Sequence, residues 1–481
     1  MVVFGAIIEE LQAIVGSDYV LHKPEDLIVF EYDGSVDRAL PTVVALPDSA
    51  EEVSRCVKVA ARHEIPVVAR GAGTGLSGGA VAEHGGLVLA LTRMTRILEV
   101  DVENRVAIIE PGVINLHLTE HVSQYGLYYA PDPSSQRACT IGGNVAENSG
   151  GPHCLAYGVT TNHVLGLEVV YADGSIEWVG GLGREYPGFD LRGIIIGSEG
   201  TLAMVTKIAV RLLRQPESVK TLLAIFQELD DASAAVSGII GAGIVPAAIE
   251  MMDDTCIRAV EPAVNAGYPA GAGAVLLVEV DGLAESVEEE VAAIEEVCSS
   301  YNPLEIRTAT DPAARERLWS GRKGVLGALG RLAPNYILVD GTVPRTRLVE
   351  VLSRISDISD RTGYPIANLL HAGDGNLHPS ILFDERKPGD TENALDIAGE
   401  ILEMCVEVGG VLSGEHGIGL EKQEHMPLMF TDADMQAMAE LRPSFATNNM
   451  FNPGKIFPTG ASCSDVSQAA AIQRAGPGAY I

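Results

Sequence analysis

A short apolar run, Pro66-Val67-Val68-Ala69, passes straight into Arg70-Gly71-Ala72-Gly73-Thr74-Gly75-Leu76-Ser77-Gly78-Gly79, and this junction constrains the fold more than any other segment. Five glycines within nine residues can neither extend a strand nor open a helix. The backbone must turn there and present a row of N–H groups, to which Thr74 and Ser77 add hydroxyls. Such a segment suits a pyrophosphate. Its spacing is not the dinucleotide fingerprint that opens a Rossmann helix, and with no Gly-Lys-Ser/Thr following, it is not a P-loop.

At 481 residues the chain is too long for one ordinary core, so two domains are expected. A net charge of -32 disfavours nucleic acid and anionic lipid as partners, so an anionic substrate has to be caught by local cations. The seven cysteines, Cys56, Cys139, Cys154, Cys256, Cys298, Cys405 and Cys463, contain no Cys-x-x-Cys pair. This chain alone therefore builds neither an iron–sulfur cluster nor a zinc ribbon, and the dispersed set fits a reducing cytoplasm. The N-terminus lacks a basic region followed by an apolar core, so no signal peptide is expected. The most apolar window, 234–252, is broken by glycines, Pro246 and Glu250 and is not expected to span a membrane.

Asp48-Ser49-Ala50-Glu51-Glu52 reads as a helix start, with Val53, Val57, Ala60 and Ala61 as the buried stripe of the helix it opens. Strands are expected at 66–69, 87–91, 97–101 and 105–110, giving an α+β unit. A polar loop, Ala130-Pro131-Asp132-Pro133-Ser134-Ser135, leads into Thr140-Ile141-Gly142-Gly143-Asn144-Val145-Ala146-Glu147-Asn148-Ser149-Gly150-Gly151. That run is rich in glycine and hydroxyls and poor in charge, as expected where backbone amides hold a flat polar ligand. Strands 164–171 and 176–179 form a hairpin across Asp173-Gly174, and Ile196-Gly197-Ser198-Glu199-Gly200-Thr201-Leu202 precedes a strand at 208–213. Near Gln215-Pro216-Glu217 the pattern changes to strands (222–226, 274–280, 337–343, 366–371, 379–383) alternating with helices (232–242, 285–298, 345–362, 395–408), a sheet covered by helices.

The sharpest chemical signal in the second half is His371-Ala372-Gly373-Asp374-Gly375-Asn376-Leu377-His378. With Asp374-Gly375 as a two-residue turn, the two histidines lie directly opposite one another, with Cβ atoms about 5 Å apart on one face. Two imidazoles so placed suit one metal ion, and Gly414-Glu415-His416-Gly417-Ile418-Gly419 offers a carboxylate and a further imidazole. Paired histidines also pack across sheets without any metal. However, four of the eleven histidines fall in these two glycine-flanked motifs, which favours a site.

Together these motifs resemble the FAD-linked oxidases, flavoproteins of the vanillyl-alcohol-oxidase or p-cresol-methylhydroxylase (PCMH) fold. Within that family they resemble the branch of the glycolate oxidase D subunits and the D-lactate and D-2-hydroxyglutarate dehydrogenases. The resemblance runs from about Ile28 to Pro458 and rests on 70–79, 131–135, 140–151, 197–202, 371–378, 414–419 and Asn452-Pro453-Gly454-Lys455. It implies an α+β, two-domain chain: a PCMH-type FAD-binding domain at 1–215 and a cap with an antiparallel sheet covered by helices at 216–425. A helix and segment at 426–460 then return to the first domain, and 461–481 form a mobile tail. It implies that Arg70, Gly71, Gly73, Thr74, Gly75, Leu76, Ser77 and Gly78 bind the FAD pyrophosphate. Pro131, Asp132, Ser135, Thr140, Gly142, Gly143, Asn144, Asn148 and Gly151 then follow the flavin, and Glu199 and Gly200 lie toward the adenosine. Tyr157, Gly158, Val205 and Asn452 are further FAD contacts.

The same resemblance implies that His371, His378 and Glu415 bind a divalent metal (Zn, Mn or Fe), that His416 is the base, and that Arg322 grips the substrate carboxylate. By residue type alone, Arg322 reads as a solvated helix cation. Relatives with covalent flavin use a histidine in the pyrophosphate loop. None stands in 71–79 and Cys154 is not expected to replace it, so FAD is expected to be non-covalent. D-2-Hydroxyglutarate dehydrogenases place a lysine and an asparagine at the distal carboxylate, and Leu338 and Ser380 stand at those positions here. The implied activity is therefore oxidation of glycolate or D-lactate. Electrons are expected to pass through separate subunits, a second flavin subunit and an iron–sulfur subunit, to quinone, with the protein cytoplasmic or peripheral at the inner membrane. Two competing readings are a metal-dependent hydrolase, in which the glycine loops are only turns, and a non-catalytic flavoprotein subunit.

Overall fold

The computed structural model describes residues 2–183, 187–446 and 449–458; the tail expected at 461–481, with Cys463, lies outside them. The described residues form two compact units, one within 2–149, 159–214 and 415–458 and one of residues 150–158 and 215–414. Two segments differ from expectation. Residues 415–425, expected with the cap, pack with the first unit because the Ile418 and Gly419 N–H groups donate to the Glu199 carboxylate at 2.7 Å each and Leu420 N–H donates to the Ser77 carbonyl. Residues 150–158, expected with the FAD domain, pack with the second unit through His153 on Glu279 (3.2 Å) and the Tyr157 hydroxyl on Asp281 (2.6 Å).

The first unit contains two main sheets. In one, Val43–Ala45, Leu87–Ala90 and Val67–Arg70 run parallel in that spatial order, with Val20–Leu21 antiparallel on the edge. Strands this apolar need cover, and the helix Ala50–Arg62 supplies it by burying Val53, Val57 and Ala60; Ala61, expected in the same stripe, is exposed. Its N-cap is Ser49, whose hydroxyl accepts from Glu52 N–H at 3.2 Å while the Glu52 carboxylate reaches back to Asp48 N–H at 2.8 Å. The second sheet is antiparallel, with spatial order Ile97–Asp101, Val106–Ile109, Met204–Arg211, Val164–Val170, Ile176–Gly180. The parallel strand Val67–Arg70 delivers the glycine run at its C-terminal end, where open parallel sheets place ligands.

The second unit is built on one seven-stranded antiparallel sheet, in spatial order Pro303–Thr308, Ser218–Phe226, Ala274–Gly282, Ala248–Asp253, Ile366–His371, Asn376–Phe383, Asn335–Leu338. One face carries Leu223, Ile225, Val275, Leu277, Ala248, Met252 and Leu369 against the helices Asp254–Val264 and Pro312–Leu329. Period-two alternation puts Thr221, Glu279, Glu250, His371 and His378 on that same face, so polar groups interrupt an otherwise apolar layer. The helix Pro312–Leu329 answers them. Its buried stripe is Trp319, Arg322, Val325 and Leu329, an arginine standing where spacing calls for an apolar residue.

Candidate active site

In the first unit the glycine run has the character of an anion cradle. Among the described residues no backbone N–H from 72 to 79 donates to a protein acceptor, although such groups are normally paired when buried. The Ser77 hydroxyl is buried and unpartnered, as are Glu147 Oε2 and Asn452 Oδ1. Arg70 does not point outward as a free cation. It is buried, donates to the Tyr32 carbonyl at 2.7 Å and lies 5.6 Å from the Phe30 ring centroid, which ties the loop to residues 30–33.

Thr140 caps the helix Ile141–Glu147 by accepting from Gly143 N–H, and a Cβ on Gly71 would run into the Thr140 hydroxyl, so the two glycine-rich segments meet only because Gly71 has no side chain. Asn144 is buried, accepting from Asn115 at 3.0 Å, and Asn148 ends the helix in the left-handed region, its side-chain Oδ1 accepting from Thr161 N–H at 2.9 Å. Pro131 accepts from Asn115 at 3.0 Å through its carbonyl, and Asp132 and Ser135 sit half-buried in the same loop. Val205, half-buried in the strand Met204–Arg211, sits at the bulge in that strand's pairing with Val164–Val170.

Glu199, expected toward the adenosine, spends its carboxylate on Ile418 and Gly419, and Asn452 Nδ2 bridges the Gly79 and Glu199 carbonyls at 2.9 and 2.7 Å. Burial, with the Glu199 carboxylate beside it, pushes the Glu147 carboxyl well above the usual carboxylate range. Both carboxyls flank Gly417, whose φ is +88° and whose Cβ would clash with Glu147 and lie 2.9 Å from Glu199 Oε1. Gly417→Ala is therefore expected to weaken FAD retention at least 10-fold, an effect of about 1–3 kcal/mol from combined strain and overpacking. Fluorimetric FAD titration checks this, and wild-type affinity in the variant would contradict the close packing.

In the second unit the hairpin differs from expectation. His371 pairs with Asn376 and His378 with Leu369, so the turn is four residues, 372–375, with Gly375 at φ +83°. A side chain at Gly375 would collide with the Val343 carbonyl. The histidines are thus diagonal neighbours, not directly opposite ones. Because the shift is even they still share a face, with ring centroids 5.0 Å apart and planes at 90°. Each Nδ1 faces an acceptor: Glu250 Oε1 at 2.8 Å for His371 and the Val339 carbonyl at 3.4 Å for His378. An N–H on each Nδ1 would put the ring's lone pair on Nε2.

Arg322 is neither solvated nor presenting its two-pronged edge to solvent. It is 3% exposed, and its Nε and Nη2 lie 2.6 and 2.5 Å from Glu250 Oε2, with Nη2 3.5 Å from His371 Nδ1. Burial raises the Glu250 carboxyl, but Arg322 and His371 outweigh it and hold the group below its ordinary value, ionised. Asp340 Oδ1 lies 4.0 Å from His378 Nδ1, and Asp340 accepts from the Ser413 hydroxyl at 2.6 Å and from Gly414 N–H. Leu338 and Ser380 are direct cross-strand partners, both buried, and Ser380 stands two residues from His378 on its face.

Nearby, Glu279 gathers Arg315 (2.7 and 2.8 Å), Trp319 Nε1 (2.5 Å), the Thr221 hydroxyl (2.6 Å) and His153 (3.2 Å). Gly151, Tyr157 and Gly158 belong to the segment held there, within the second unit. Glu415 and His416 open the segment 415–419 of the first unit, and their side chains lie 3.9 Å apart. Sequence reasoning did not single out Glu250, Glu279 or Asp340. The available signal for Glu250 was its position as the lone charge near the end of the window 234–252.

The chain matches the FAD linked oxidases, C-terminal domain, over residues 215–456 and the FAD binding domain over residues 41–180. It is 44% identical to the glycolate oxidase subunit GlcD of Escherichia coli (strain K12), over 93% of this chain and 90% of that protein. It is 40% identical to the subunit of the same name in Bacillus subtilis, over 93% and 96%. With the D-lactate dehydrogenase of Archaeoglobus fulgidus it shares 34% identity over 86% of this chain and 91% of that one. The fold is that of p-cresol methylhydroxylase (TM-score 0.81, 17% identity, 96% and 98% of the two chains covered). The buried, unpartnered groups of the first unit fit FAD. This chain belongs to the FAD-linked oxidases, flavoprotein oxidoreductases with a PCMH-type FAD-binding domain and a helix-covered antiparallel cap.

Proposed function

We propose that the protein is an FAD-dependent dehydrogenase that oxidises glycolate or D-lactate to glyoxylate or pyruvate. The observation that carries this is the diagonal pair His371 and His378, each with Nδ1 turned to an acceptor, in a chain 44% identical to a glycolate oxidase subunit. Bound FAD supplies the hydride acceptor, and a bound divalent ion the Lewis acid that makes a 2-hydroxyl group more acidic. The ligands are His371, His378 and Glu415, a set suited to Zn²⁺, Mn²⁺ or Fe²⁺. Glu415 is the next residue after Gly414, whose N–H is held at 3.0 Å by the carbonyl of Asp340.

Arg322 has one nitrogen, Nη1, that donates to no protein acceptor among the described residues, and this nitrogen holds the substrate carboxylate. His416 takes the hydroxyl proton on an imidazole nitrogen, the side chain most often used as a positioned general base. Leu338 and Ser380 offer a second carboxylate neither cation nor amide, which disfavours dicarboxylates. FAD is held without a covalent bond, since 71–79 contains no histidine. Electrons leave to partner subunits carrying a second flavin and an iron–sulfur centre, and from there to quinone, a reading supported by the absence of Cys-x-x-Cys and by the relatives' description as a subunit. Among the described residues no helix is long and apolar enough to cross a membrane, which fits a cytoplasmic protein that reaches the inner membrane through those partners.

Anaerobic mixing of the yellow protein with a panel of 2-hydroxy acids, before and after chelation, tests the reading. Glycolate or D-lactate is expected to bleach the flavin, at a rate at least 100-fold lower after metal removal. Bleaching by D-2-hydroxyglutarate in preference to both would overturn the substrate assignment. A colourless protein that hydrolyses esters would favour the hydrolase instead.

A further inference from the structure

We infer that Glu250 is the positioning residue of the site, one carboxylate that sets both the ring nitrogen His371 offers to a metal ion and the direction in which Arg322 points. The inference rests on the metal-binding reading proposed above. Three features of the second unit converge on Glu250. It lies directly across the sheet from His371, the two being register partners, so its side chain rises on the same face. Its two oxygens lie 2.8 and 3.0 Å from His371 Nδ1, and Oε2 also accepts from Arg322 Nε at 2.6 Å. All three side chains are at most 4% exposed, so no water competes for these bonds.

A carboxylate has no proton to give, so His371 must carry its hydrogen on Nδ1 when it meets Glu250, and the lone pair is then on Nε2. An acceptor on Nδ1 also makes Nε2 a stronger donor to a cation. The same carboxylate turns Arg322 by taking its Nε and Nη2, which leaves Nη1 as the nitrogen available to a substrate anion. In return Arg322 balances the charge that Glu250 would otherwise hold alone in an apolar layer. At His378 the Nδ1 lies 3.4 Å from a backbone carbonyl, Val339 O, and 4.0 Å from Asp340 Oδ1.

The test compares the full-length, FAD-loaded wild type with Glu250→Gln and with the double variant Glu250→Gln/Arg322→Gln, which leaves no unbalanced buried charge. Flavin absorbance and the melting temperature report that each protein is folded. The metal is then removed and Co²⁺ or Mn²⁺ is titrated calorimetrically, with the visible bands of Co²⁺ reporting its ligand geometry. Glu250→Gln is expected to bind the ion 10- to 100-fold more weakly, with altered Co²⁺ bands and a KM for the hydroxy acid raised at least 10-fold. In the double variant metal binding is expected to stay weak, because neutrality is restored but the charged acceptor on Nδ1 is not, the glutamine oxygen being a neutral and weaker one. Wild-type metal affinity and unchanged Co²⁺ bands in a folded Glu250→Gln protein would overturn the inference while leaving the metal site standing. Recovery of full affinity in the double variant would also overturn it, by showing that unbalanced charge was the whole effect. If the wild type binds neither ion, the metal reading itself fails, and with it this inference.

Discussion

Replacing His416 by alanine is expected to lower the rate of flavin reduction by glycolate or D-lactate about 10²- to 10⁴-fold, the usual contribution of a positioned general base, while the protein keeps its FAD. Retention follows from how the segment is held. Residues 415–419 are fastened through the backbone, Ile418 and Gly419 N–H on the Glu199 carboxylate, and the Lys422 ammonium donates to the Gly417 carbonyl at 3.1 Å. None of these bonds uses the imidazole of His416. Losing the ring therefore removes proton transfer and leaves these backbone fastenings in place. Anaerobic stopped-flow measurements separate the two effects, and a variant that is reduced at the wild-type rate would remove His416 from the chemistry.

The second large effect is on stability. Glu279 is 1% exposed and binds four side chains, so Glu279→Ala leaves the hydrogen-bonding groups of Arg315, Trp319, Thr221 and His153 without their acceptor. Breaking a buried pair from one side costs about 3–5 kcal/mol. Because the Arg315 side chain is 40% exposed and can turn to water, we expect about 3 kcal/mol. Burial alone would raise the Glu279 carboxyl, but His153 and Arg315 reverse this and hold it far below its ordinary value. A depressed folded-state pKa contributes stability above the unfolded value, about 4.3, and loses it as the pH falls from there through the folded value. The gap between wild type and variant should accordingly be full at pH 7 and shrink as urea midpoints are measured at pH 4 and below. A gap that stayed constant down to pH 3 would mean that the ionised carboxylate is not what stabilises the unit.

Much of the first unit was legible because its signals are local. The Ser49 cap, the strand feeding the glycine run and the run's lack of helix formers are each settled within a few residues. The histidine pair was legible for the same reason. What escaped depends on residues far apart in sequence. Glu250 and Arg322 are separated by 72 positions, and they meet only because the helix Pro312–Leu329 packs on the sheet face that carries Glu250. Arg322 read as a surface cation because a helix wheel gives the face of a residue but not the acid waiting beneath it. The segment 150–158 was assigned by continuity with the glycine-rich run before it, whereas its attachment is decided by His153 and Tyr157 meeting acids on a strand more than a hundred residues later. Ala61 was drawn into the buried stripe because alanine is indifferent to either side of a helix.

The four-residue turn at 372–375 carries a consequence for length variation. Whether His371 and His378 share a face is a question of parity, not of distance along the chain. Deleting two turn residues still closes His371 onto Asn376, now through a two-residue turn, and keeps both imidazoles on the layer that holds Glu250. A one-residue slip in the strand pairing instead sends His378 through the sheet to the opposite side. A library of turn variants selected for activity should therefore recover turns that keep His371 opposite Asn376 and reject those that slip the pairing by one residue.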